Sequence, residues 1–212
     1  MERTMHNSKL QGWVKWVLPL CLITLLPLFA TAQSAKDVLD KAAANVSNKN
    51  GISAKFRISG PNFSPTDGTI YVKGRKFHAT TEVATIWFDG KTQWTYMKAQ
   101  DEVNVSNPSE AELQSLNPYN FINLYKKGFT YTMTTKGNNY EVHLTATDKK
   151  RNIQEMYITV SMQGYVLSQV KMKQRNGWTT INISNLKATK LNDSQFRFNA
   201  KDYPHAEVID LR

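Results

Sequence analysis

The chain of 212 residues carries one cysteine, Cys21. It sits inside an N-terminal apolar segment, so the rest of the chain supports neither a disulfide framework nor a cysteine-based metal site. Histidine is also scarce: there are four, and His78, His143 and His205 beyond the N-terminal segment have no second histidine at metal-ligand spacing. G-x-S-x-G, H-E-x-x-H and P-loop patterns are missing, as are an RNP-like aromatic motif and a basic recognition helix. Neighbouring carboxylates do occur, as Asp101-Glu102 and as Glu110 with Glu112. They fall at a turn and on a helix surface, where solvated charge is the ordinary outcome. No catalytic residue, cofactor or metal ion is expected, and the chain reads as a non-enzyme.

Acidic residues are few. Seventeen Asp and Glu face 27 Lys and Arg, for a net charge of +10. Such a balance suits nucleic acid, an anionic membrane surface or an acidic partner. The basic residues are spread along the chain, and the densest run, Lys149-Lys150-Arg151, lies at a turn. With no nucleic-acid motif beside them, nucleic acid is not an expected partner.

A long hydrophobic span is also missing. The apolar run from Trp16 to Ala30 is short for a membrane crossing and is interrupted by Pro19 and Pro27. Arg3, Lys9 and Lys15 precede it, and Ala30-Thr31-Ala32 follows. That arrangement predicts a secretory signal peptide over residues 1–32, cleaved after Ala32. An uncleaved anchor is the alternative. A lipidation signal is disfavoured, because Leu20 precedes Cys21 and the cysteine lies within the apolar run. Removing residues 1–32 takes away three bases and Glu2, which leaves an exported domain over 33–212 with a charge of +8.

What the chain does have is β-pattern. From Gly68 to Val105, short apolar and aromatic runs alternate with tight turns, the sharpest being Asp89-Gly90. Ile52, Ala54, Phe56 and Ile58 alternate with Ser53, Lys55 and Arg57, which predicts a strand with one apolar face. A loop is expected from Ser59 to Asp67. Further strands are expected at Phe129–Thr135, Tyr140–Thr147, Ile153–Ser161, Val166–Gln174 and Trp178–Leu186, and at Phe196-Arg197-Phe198. Two helical features break the pattern. Ser34 to Asn48 is an amphipathic helix with Ser34 as N-cap and an apolar stripe of Val38, Leu39, Ala42, Ala43 and Val46. A helical pair is expected over Glu110–Leu116 and from Pro118 to Gly128. About eleven antiparallel strands in one sheet would curl into a barrel or part-barrel.

The string Asp89-Gly90-Lys91-Thr92, followed by Trp94 and Tyr96, resembles the S-D-G-K-T-L-W-x-Y of the LolA family of periplasmic lipoprotein carriers. Gly68, Tyr71, Val72, Lys73 and Phe77 match the family's G-x-L-W-V-K-R-P and the aromatic after it, and Val103 matches its Q-V. The ending FRFNAKDYPHAEVIDLR is similar to its C-terminal pattern. The resemblance implies a mainly β (α+β) fold: an unclosed antiparallel barrel of about eleven strands, with an N-terminal helix and a helical lid over an apolar cavity. The family's Arg-Pro after the lysine is Gly74-Arg75 here, so Arg75 is the candidate for the arginine that latches the lid.

The implied function is a monomeric periplasmic chaperone. It would shield the acyl chains of lipoproteins and move them from an inner-membrane release complex to an outer-membrane acceptor. The expected cavity lining is Phe56, Ile58, Tyr71, Phe77, Trp87, Trp94 and Tyr96, with Leu113, Leu116, Phe121, Ile122 and Leu124 from the lid. Two other classes stay open at this point. One is a periplasmic lipid- or peptide-binding or sensing module of the same half-barrel type without a transport role. The other is an exported enzyme with a hydrophobic pocket.

Overall fold

The computed structural model of the chain describes residues 33–109, 112–113 and 124–212. The expected signal peptide, its cleavage after Ala32, and Leu116, Phe121 and Ile122 lie outside these residues, as does most of the expected helical pair.

The capping box predicted at the first helix is formed. The Ser34 hydroxyl accepts from the Asp37 N–H at 3.1 Å, and the Asp37 carboxylate accepts from the Ser34 N–H at 3.3 Å. Helix α1 then runs Ala35–Val46 and buries Val38, Leu39, Ala42 and Ala43.

Twelve strands follow: β1 Ile52–Gly60, β2 Phe63–Lys73, β3 Lys76–Thr81, β4 Ala84–Phe88, β5 Gln93–Met97, β6 Glu102–Ser106, β7 Phe129–Lys136, β8 Asn139–Ala146, β9 Glu155–Ser161, β10 Leu167–Gln174, β11 Gly177–Ala188 and β12 Glu207–Asp210. They form one sheet in the order β12-β6-β5-β4-β3-β2-β1-β11-β10-β9-β8-β7. The two ends of the order do not pair, so the half-barrel is unclosed. All ladders are antiparallel except β12 on β6.

Two local expectations are corrected. The stretch 63–67, expected as loop, is the start of β2. It pairs with β1 alone, since β3 joins only at Gly68, so Pro65 can sit in a strand whose other side has no ladder to break. Phe196-Arg197-Phe198 is not a strand. Short 3-10 helices at Asp193–Phe196 and Ala200–Asp202 make the C-terminal segment a strap, and β12 comes after it.

Strand alternation divides the sheet into two faces. The inner face holds the main apolar core, which joins Val38, Leu39, Ala42 and Ala43 of α1 with Ile52, Ala54, Ile70, Val72, Phe77 and Phe88 and with Val142, Leu144, Met156, Ile158, Val170 and Ile181 from the second half; α1 itself lies against β7 and β9. The β9–β10 turn holds the helix from the side: Asn45 Nδ2 donates to the carbonyls of Gly164 and Tyr165, at 2.6 and 3.0 Å.

Candidate functional site

The register decides which predicted lining residues meet. Phe56 stands opposite Gly68 on β2 and Ile183 on β11, and Ile58 opposite Ile181, all on the inner face. Phe77 shares that face through its partners Val72 and Phe88. Tyr71, Trp87 and Trp94 belong to another row, Tyr71–His78–Trp87–Trp94, and point to the outer face, as does Tyr96 opposite Val103. The seven residues therefore do not line one cavity. Side chains one residue apart on a strand leave on opposite sides, so Trp87 cannot join Ile86 and Phe88.

On the inner face, Phe56, Ile58, Ala79 and Ile86 are only partly buried beside a closed core. Gly68 makes room for the Phe56 ring. A Cβ at Gly68 would lie 2.4 Å from Phe56 Cζ and 2.6 Å from the Thr80 carbonyl oxygen. Leu113, Leu124 and Tyr125, from between β6 and β7, are buried in the same core. The Tyr125 hydroxyl donates to Asp40 Oδ1 of α1 at 2.5 Å, and Tyr131 donates to the Tyr125 carbonyl oxygen. Burial first, then the Asp40 carboxylate, pushes the Tyr125 phenol far above its ordinary value. The Lys36 ammonium, followed by Tyr125, holds Asp40 below the usual carboxylate range.

The outer-face aromatics are covered by the strap. His78 stacks between Tyr71 and Trp87, at 5.7 and 5.4 Å between ring centroids. Phe198 and Tyr203 pack edge-on against Trp87, both at 5.6 Å, and Tyr203 reaches Tyr96 at 4.6 Å. Burial pushes His78 below the ordinary histidine value.

Polar ties fix the strap in place. Asp193 accepts from Lys73 at 3.0 Å and from Lys76 at 2.7 Å, and these cations, Lys76 first, lower its pKa. Arg197 pairs with Asp89 at 3.0 Å. Asp89 also accepts the N–H groups of Lys91 and Thr92, so it holds both its own turn and the strap. These contacts involve the Asp-Gly-Lys-Thr motif and Lys73, which therefore act at the outer surface. Phe198, expected in a strand, and Tyr203 are what close this cluster.

Arg75 lies exposed in the β2–β3 turn next to Gly74, whose φ of 59° suits glycine. A cavity of about 460 Å³ opens at the β1–β11 bulge and is lined mainly by polar side chains, including Ser53, Lys55, Thr69, Tyr71 and Lys187. Ala54 and Leu186 complete the lining. Among the described residues no group of three or more His, Cys, Asp or Glu is placed to hold a metal, and no helix is long and apolar enough to cross a membrane. His143 is a half-buried outer-face residue, stacked on Tyr157 at 4.3 Å and 3.3 Å from Glu155.

The model of a family described as outer membrane lipoprotein carrier protein LolA matches residues 26–177. No curated protein matches. Among solved structures, an uncharacterized conserved protein of Thermus thermophilus shares the fold at a TM-score of 0.56 and 12% identity, with 84% of this chain and 99% of that chain covered. A LolA superfamily protein of Nitrosomonas europaea aligns at a TM-score of 0.45 and 12% identity, covering 79% and 99% of the two chains. A lipoprotein-sorting protein domain from Vibrio parahaemolyticus, described as a putative one, aligns at 0.44 and 14%, covering 79% and 97%.

Proposed function

Because the chain belongs to the LolA family of outer membrane lipoprotein carriers, we propose that it is a periplasmic chaperone that carries lipoprotein acyl chains on the inner face of its half-barrel. In this reading residues 1–32 are removed on export. The protein takes its cargo as a monomer from an inner-membrane release complex and passes it to an outer-membrane acceptor.

The observation that carries the reading is the partly buried inner-face patch of Phe56, Ile58, Ala79 and Ile86, packed against the core that also buries Leu113 and Leu124 from between β6 and β7. An acyl chain needs such a surface. Burial is worth about 0.8 kcal/mol per methylene, so a chain of about sixteen carbons would cost on the order of 12 kcal/mol to leave in water. The required contact is broad and non-directional, and aromatic and branched apolar groups supply it without catalytic chemistry. Leu113, Leu116, Phe121, Ile122 and Leu124 supply the lid, and Arg75 is the residue assigned to latch it. Of the residues first expected, Phe56 and Ile58 line the surface offered to the cargo, with Ala79 and Ile86 added, and Phe77 is fully buried in the core beneath it.

Mass spectrometry of what co-purifies from the periplasm tests this. Triacylated lipoproteins bound to the native protein, and lost from an Ile58→Asp variant, are the expected result. Free phospholipid alone, together with correctly placed lipoproteins in depleted cells, would replace transport with a lipid-binding role.

A further inference from the structure

Antiparallel connectivity sends the β1–β2, β3–β4, β5–β6, β8–β9 and β10–β11 turns to one end of the sheet. That end carries three large apolar side chains in the open: Phe63 is 43% exposed, Val83 58% and Trp178 36%. The remaining large apolar residues exposed among the described ones are Val166 at the opposite end and Val208 and Leu211 near the C-terminus. Pro61 lies against Gly177, 3.3 Å from where a Cβ would stand, so the β1–β2 and β10–β11 turns that bring Phe63 and Trp178 touch each other.

Cations flank Trp178. The Lys171 and Lys173 ammonium groups lie 5.6 and 5.8 Å from the Trp178 ring centroid. Lys127, Lys149, Lys150 and Arg175 are exposed at the same end and take part in no ion pair among the described residues. The acids there are partly occupied. Asp101 accepts the Tyr96 hydroxyl, Asp148 accepts the Lys150 N–H and Glu155 pairs with Lys173, while Glu82, Glu102 and Glu207 at this end form no ion pair among the described residues.

We propose that this end of the half-barrel docks on a bilayer surface rich in anionic headgroups. Phe63, Val83 and Trp178 enter the interfacial layer, and the free lysines and Arg175 meet phosphates. The distribution favours a bilayer over a protein. The three apolar groups stand on separate hairpins, where a protein interface would gather them into one dry centre ringed by polar groups. A tryptophan flanked by ammonium groups is the amphipathic pairing found at membrane–water boundaries. The inference rests on this surface alone and does not require the cargo to be a lipoprotein.

The purified protein is to be co-sedimented with unilamellar vesicles of phosphatidylglycerol and phosphatidylcholine at about 3:7, and with phosphatidylcholine alone. Binding is expected to be tenfold or more tighter to the anionic vesicles and to weaken steeply between about 0.05 and about 0.3 M salt. Lys149→Glu with Lys150→Glu is expected to weaken it by roughly tenfold or more. Phe63→Ser with Val83→Ser is expected to do the same at unchanged charge, and Lys91→Glu at the opposite end to leave binding alone. Circular dichroism confirms that each variant is folded. A blue shift of tryptophan emission on binding, lost in Trp178→Phe, would place that ring in the lipid. Equal binding to both vesicle types overturns the proposal. So does binding insensitive to both rim variants, or retention on an acidic protein without any vesicle binding. The cargo of the same variants, read by mass spectrometry, reports separately on the carrier reading.

Discussion

The Tyr125 hydroxyl meets the Asp40 carboxylate at 2.5 Å and ties the segment that enters β7 to the middle of α1. Tyr125 is buried, and its phenol stays protonated far above neutral pH, so the bond is held by a permanent donor. Tyr125→Phe keeps the ring and removes the bond. A loss of about 1–2 kcal/mol in urea unfolding is expected, with hydrogen exchange speeding up in 124–128 before the rest of the sheet. An unchanged exchange profile would mean that the bond does not hold the segment. The tie also depends on pH. Asp40 is held low in the folded chain, so its stabilisation is complete above the ordinary carboxylate pKa and is lost as pH falls through the depressed folded value.

Gly68 is needed for space, since the Phe56 ring fills the position of its missing side chain. Gly68→Val is expected to push Phe56 off the sheet at a cost of about 1–3 kcal/mol. A fluorescent fatty-acid probe should bind more weakly to this variant. The double variant Gly68→Val, Phe56→Ala should regain part of the stability, because the clash with the ring is then removed while the one with the Thr80 carbonyl oxygen stays. Two fully additive losses would show that the contact is not the cause.

The two faces of the meander should separate in mutants. Trp87→Ala on the outer face leaves Phe198 and Tyr203 without their shared partner and should cost about 3–5 kcal/mol. For a domain of this size that is a fall in Tm of roughly 10 °C. The fatty-acid stoichiometry of the folded fraction should not change. Ile58→Asp on the inner face should do the reverse, with a smaller fall in Tm and little probe binding. Loss of probe binding in Trp87→Ala at a temperature where it remains folded would return Trp87 to the cavity.

His78 sets a pH dependence of its own. Burial between Tyr71 and Trp87 lowers its proton affinity below that of the unfolded chain. The unfolded state therefore takes up the proton first as the solution is acidified. This contribution to stability is full above a pH of about 6.5 and is lost as pH falls below it toward the folded value. Thermal melting between about pH 8 and about pH 5 should show the decline, and His78→Phe, which keeps the stack, should flatten it. An equal slope in both proteins would assign the decline elsewhere.

Much of the fold is legible in the residues because the turns are explicit. Asp89-Gly90, Asn176-Gly177 and Gln163-Gly164 end their strands where positive φ is required, and Ser34 with Asp37 announces the helix. The facing of the aromatics is not legible in the same way. Ile86-Trp87-Phe88 is apolar on both sides, so alternation alone cannot say which side is covered by α1 and which by another element. The covering element is Phe196 to Tyr203, whose alternation reads as a strand. It runs instead from the end of one short 3-10 turn, Asp193–Phe196, through a second, Ala200–Asp202, with Phe198 and Tyr203 laid across Trp87. Nothing local in those residues announces a partner more than a hundred positions earlier in the chain.

The strand order has a kinetic consequence. β1 to β6 and β7 to β11 are two meanders of sequence neighbours, and the β1–β11 ladder is the one described seam that joins them. Each meander can form from local contacts, but the seam must close a loop that takes in most of the domain, so it is expected to be the slowest step of folding. Its register carries a shift between Ser53 and Lys55, and Asn185 across from it sits at positive φ. If the halves zip together one residue out, Arg57 turns into the position meant for Phe56. The irregularity at Ser53–Lys55 acts as a key that lets only one alignment close.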